Sequence, residues 1–119
     1  MSSIHLDSGP PWHVSINVEQ VGRDYICHLH GGDWHIGAVA LSQWQGGRPN
    51  TSILTVSSHK EGGLALQSAH RLCKVSQRSV VCVAGLHYDA VTKKEIAQIL
   101  ETTAILIKLA AEKIENSHF

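Results

Sequence analysis

Apolar and polar positions along the chain change period three times, and the changes mark out its elements. In WHVSINVEQV, residues 12 to 21, Val14, Ile16 and Val18 alternate with polar neighbours, the pattern of a strand with one wet face. Gly22-Arg23-Asp24 reads as a turn into a second strand, Tyr25 to Leu29, which His30-Gly31-Gly32-Asp33 closes. The third strand, His35 to Leu41, reads HIGAVAL and is almost wholly apolar or small, as in a strand covered on both sides. Gly46 to Asn50 is expected as an exposed loop, and Thr51 to Val56, rich in β-branched residues, as the fourth strand.

From there the spacing becomes helical. Ser58-x-x-Glu61 has the form of a capping box, and Leu64, Ala65, Ala69, Leu72 and Cys73 continue a helix to about Val75. Ser79 to Gly85 is a short buried strand. Thr92-x-x-Glu95 is a second capping box, opening a helix whose stripe runs through Ile96, Ile99, Leu100, Thr103, Ile107, Ala110 and Ile114. The order β-β-β-β-α-β-α predicts an α+β fold, a mostly antiparallel sheet with two helices on one face. The other face then needs solvent or a second subunit, and HIGAVAL favours a dimer. Residues 1–11 are polar and expected to be flexible, leaving 12–119 as a single domain.

Composition narrows the function classes. Ten basic and ten acidic residues give zero formal net charge, so no basic field exists for a polynucleotide backbone. No stretch has the length to span a bilayer, and Ala104 to Ala111 is interrupted by Lys108. The N-terminus carries no apolar signal-peptide core, and the three cysteines, Cys27, Cys73 and Cys82, show no CxxC pairing. Both features point to a cytoplasmic protein with small, buried, reduced thiols.

Nine histidines stand out in so short a chain. Three lie where strands meet loops: His35 at the entry to the third strand, His59 beyond the fourth, and His87 beyond the strand ending at Gly85. If the fifth strand runs in the direction of the fourth, all three arrive at one edge of the sheet. Such a triad suits a divalent transition metal with open positions for an outside ligand, Asp89 serving as orienter or fourth ligand. Three unrelated loop histidines bonded to water or backbone are the plainer account of the same spacing. Ser58 and Lys60, at a helix start, suit a phosphate, although ordinary capping explains them too. Trp34 is a candidate for packing on a flat ring. His28 and His30 alternate on one strand face and read as a solvated or subunit-facing pair. The sequence holds no GxSxG, paired-carboxylate signature, P-loop or GxGxxG, which speaks against catalysis.

Three blocks carry a family resemblance: Gly31-Gly32-x-x-His35-Ile36-Gly37-Ala38-Val39-Ala40, then Thr55-Val56-x-x-His59-Lys60-Glu61, then Val83-Ala84-Gly85-x-His87-x-Asp89-x-x-Thr92-Lys93-Lys94-Glu95-Ile96. In these the chain resembles the LpdD-like prenylated-flavin chaperones, over roughly Val14 to Ile114. The resemblance implies a fold like that of proteasome-assembly chaperones, a homodimer, and no enzyme activity of its own. It implies a carrier that binds reduced prenylated FMN through a metal ion bridging to the phosphate and serves a UbiD-type decarboxylase. His35, His59 and His87 are then the expected metal ligands. Ser58, Lys60, Gly85 and Trp34 are the expected contacts to the flavin nucleotide. The N-terminal dozen residues and the Gln43 to Asn50 loop depart from the family pattern. A ligand-free assembly factor and a small His-ligated metalloenzyme remain the rival classes.

Overall fold

The computed structural model describes residues 3–56 and 61–117, apart from the Glu61 side chain. Its elements are β1 (Ser3–Asp7), β2 (Ser15–Val21), β3 (Asp24–Gly32), β4 (Ala38–Gln45), β5 (Arg48–Thr55), α1 (Glu61–Ser76), β6 (Val80–His87) and α2 (Lys93–Glu115). One six-stranded sheet runs in the order β1-β2-β3-β6-β4-β5. All pairs are antiparallel except β3 with β6. Both helices lie on one face: α1 over β4, β5 and β6, and α2 over β1, β2 and the flank of α1. The expected α+β class and one-sided helical layer are present.

Three features depart from the sequence reading. Residues 3–7, within the segment expected to be flexible, form β1, paired with β2 through Ile4–Val18 and Leu6–Ile16. The Gln43–Asn50 stretch is not an open loop. Gly46 and Gly47, at φ +64° and +78°, make a two-residue turn whose twist matches the strands on either side, so β4 and β5 pair up to Gln45–Arg48. Most consequential is β6, which inserts between β3 and β4 and breaks the expected meander. It does run in the direction of β5, since both are antiparallel to β4.

Strand parity sorts the side chains. Tyr25, Cys27 and Leu29 of β3, Ala38 and Ala40 of β4, and Val80, Cys82 and Ala84 of β6 are buried under the helices. Small residues on both sides, among them Ala65, Ala69 and Cys73 of α1, let helix and sheet approach closely. Buried polar groups are paired, as folding demands: Ser68 Oγ donates to the Leu64 carbonyl at 2.6 Å, and Thr103 Oγ1 to the Ile99 carbonyl at 2.8 Å. All three cysteines are free and buried. A hydrogen bond to Cys82 and burial push the Cys27 thiol well above its ordinary value. The second capping box forms as predicted, Thr92 Oγ1 accepting from Glu95 N at 3.1 Å and Glu95 Oε1 from Thr92 N at 2.9 Å. The first rests on Ser58, outside the described residues.

Candidate functional site

The site grows from one topological necessity. With β6 wedged between β3 and β4, the chain leaving β3 must cross over β6 to begin β4. Residues 33–37 make that crossing, tied by Asp33 N to the His87 carbonyl and Gly37 N to the Ala84 carbonyl, both at 2.9 Å. The crossing passes over the bare face at Gly85, where a Cβ would be driven into the His35 backbone. Gly31 and Gly32 are required for the same reason, a Cβ on either colliding with Tyr88 or with the His87 carbonyl. Gly31, Gly32 and Gly85 thus each stand where another part of the chain approaches closely. Gly85 is buried beneath the His35 backbone, which gives it a packing role.

Crossing brings two of the three predicted imidazoles together. The His35 and His87 rings lie 5.8 Å apart between centroids, inclined at 62°. His87 Nε2 is 2.9 Å from Asp89 Oδ1, so the carboxylate orients that ring, as the sequence suggested for Asp89. The end of β5 reaches the same rim, because Val56 N donates to the Gly37 carbonyl at 2.8 Å. The segment that follows holds Ser58, His59 and Lys60, all outside the described residues.

A metal ion with bonds of about 2.1 Å to two imidazoles places their centroids roughly 5–6 Å apart, and the His35–His87 spacing fits. Among the described residues no group of three or more His, Cys, Asp or Glu side chains is arranged to hold a metal ion. The described part of the rim thus brings together two of the three imidazoles expected there.

A second cluster adjoins the first. His28 and His30 are half-buried on the bare face, their rings 4.5 Å apart, and Trp34 rests against both at 4.8 Å. Asn17 Nδ2 lies 3.3 Å from His30 Nε2, and Asn17 Oδ1 contacts His5 Nδ1. Burial holds the His28 imidazole below its usual pKa; for His30 burial acts first and the neighbouring His28 and His5 add to it. The signal was present as His28-x-His30 on a strand, which puts both rings on one face, with a tryptophan four residues on.

These features define a two-layer α+β domain whose chemistry-bearing residues gather on the face that its helices leave bare. The chain belongs to the prenylated flavin chaperone LpdD-like family, whose domain model matches residues 8–115. Membership points to prenylated flavin as the molecule served and to an accessory role. Among solved structures, the chain is similar to one in a chaperone complex for yeast 20S proteasome assembly. The TM-score is 0.59 at 9% identity, covering 96% of this chain and 99% of the other, a likeness of fold. No curated protein sequence matches significantly. No described helix is long and apolar enough to cross a membrane.

Proposed function

We propose that this protein is a carrier that holds reduced prenylated FMN and supports its delivery to, or maturation in, a UbiD-type decarboxylase. The observation that carries the reading is the meeting of His35 and His87 at one rim, beside the β5 end that leads to His59, in a chain of a prenylated-flavin chaperone family. In this reading His35, His59 and His87 hold a divalent ion. The ion supplies an exchangeable bond to phosphate, suited to a cargo that must later be released. Ser58 and Lys60, leading into α1, share the phosphate charge. The working unit is a cytoplasmic homodimer, supported by the apolar row Ile26, Val81 and Leu41 across the bare face.

Anaerobic titration of reduced prenylated FMN into the wild-type protein and His59→Ala, each with and without a chelator, tests this. The expected result is tight binding by wild type that either the chelator or the substitution weakens by tenfold or more. Equal affinity under all four conditions removes the ion from the mechanism, and absence of binding by wild type removes the carrier reading.

A further inference from the structure

We infer that His28, His30 and Trp34, with the adjoining Val83 and Val39, form a shelf for the ring end of the prenylated flavin, whose phosphate end points to the His35–His87 rim. The inference rests on the carrier reading and adds the half of the site that the rim does not supply.

Register places the shelf and the rim on one continuous surface. The parallel pairs His28–Val83, His30–Gly85 and Gly32–His87 are successive positions on the bare face, rising toward the rim. Four residues of strand, about 13 Å, separate the His28 row from the His87 row, a span comparable to that from the middle of an isoalloxazine ring to the outer phosphate oxygens. Between them the His35 backbone seals the surface over Gly85.

The chemistry of the shelf fits a flat ring with an apolar addition. Trp34 is 46% exposed, uncommon for so large an apolar side chain, yet two imidazoles support it from below. The Asn17 contact to His30 fixes the support before any ligand arrives. Burial favours neutral imidazoles at His28 and His30, so the shelf brings an aromatic surface without a fixed positive charge. Across the strands from His28 the row continues through Val83 to Val39. That apolar ground suits the carbons that prenylation adds and offers less to an unmodified flavin.

The test uses the full chain and two probes, reduced prenylated FMN and reduced FMN, under anaerobic conditions. Trp34→Leu and His28→Gln are each expected to weaken prenylated FMN about tenfold or more and to alter the absorption spectrum of the bound flavin. Val83→Thr is expected to lower the preference for prenylated over plain FMN. Thermal unfolding identifies any variant that fails to fold, and the half-exposed Trp34 and His28 give two independent chances of a folded one. If wild type binds prenylated FMN while folded Trp34→Leu and His28→Gln bind it equally well, the shelf is overturned and the carrier reading survives. Variants that alter self-association but leave cargo affinity unchanged also overturn it, assigning the surface to a second copy. Failure of wild type to bind overturns both.

Discussion

Successive residues of β3 face two different environments, and the contrast runs through the whole sheet. Tyr25, Cys27 and Leu29 point at the helices and are buried, while Ile26, His28 and His30 point away to a face that no helix covers. On β4 and β6 the covered positions include the small Ala38, Ala40, Cys82 and Ala84; the uncovered ones include Leu41, Val81 and Val83. The covered face follows the rules of a core, close-packed and with its polar atoms paired. The bare face keeps apolar and aromatic groups in the open, as surfaces made for contact do. Strand parity separates the packed face from the bare one, so most single substitutions can probe one side at a time.

The largest effect is expected on the covered side. Leu72 of α1 is fully buried, and Leu72→Ala removes apolar contact and leaves a cavity, costing about 2–5 kcal/mol. Urea denaturation measures it. A loss under about 1 kcal/mol breaks the claim that this face is a tightly packed core.

Gly85 is the place where the two faces depend on each other. It belongs by parity to the bare face but is buried by the crossing of residues 33–37. Gly85→Ala meets backbone, which has little room to give, so a loss of about 1–3 kcal/mol is expected. Displacing His35 also separates it from His87, so affinity for prenylated FMN should fall in the molecules that remain folded. A variant of unchanged stability and affinity would show that the crossing is loose and the rim not set by it.

How much of this was legible in the sequence depends on the range of the interaction involved. Alternation at Val14, Ile16 and Val18 and the Thr92–Glu95 box are local, and both appear where the pattern put them. Strand order is not local. Nothing in the apolar run Val80 to Gly85 says that it lies beside β3 in preference to β5, and hence that a loop must cross it. For the same reason Gly31, Gly32 and Gly85 read as turns or cofactor contacts; their steric demand comes from chain segments far away in sequence. The α2 stripe was nearly right. Contact with α1 as well as β1 and β2 shifts the buried arc to include Leu106 and Ala111 and leaves Ile96 and Leu100 exposed. Of the candidate site, His87 does end β6 as read, whereas His35, expected at a strand entry, lies in the crossing before β4 and meets His87 from there. His28 and His30 read as a solvated or subunit-facing pair, because Trp34, which packs against them, arrives only through the crossing.

Acid provides a finer test of the bare face. His28 and His30 have folded-state pKa values lowered from the ordinary value near 6.5. Groups facing them include His5, whose charge opposes protonation of His30, and Asp7, which favours it; Asn17, Val83 and Gly85 flank them on the neighbouring strands. Because the unfolded chain binds these protons more readily, their contribution to stability is present above about pH 6.5 and is lost as pH falls through the folded values. Urea denaturation at pH 7.5 and 5.5 should show a smaller acid loss for the His28→Gln, His30→Gln double variant than for wild type. Identical losses would mean that Trp34 covers the imidazoles too loosely to matter.

The smallest effect on the single chain is expected at Leu41, whose position in the row Ile26, Val81, Leu41 lies on the side of the bare face away from the rim. It is 43% exposed, so Leu41→Ser should change the stability of the dilute protein by no more than about 0.5 kcal/mol. That is a small fraction of the cost at Leu72, although both substitutions remove a leucine. If two copies meet through this row, the same substitution acts on association instead, and sedimentation velocity should show the variant shifted toward monomer at concentrations where wild type is paired. Wild type and variant sedimenting alike as dimers would place the subunit contact elsewhere. A large stability loss in the dilute variant would mean that the chain needs this face to fold, and the division between the two sides of the sheet would fail where it is cheapest to test.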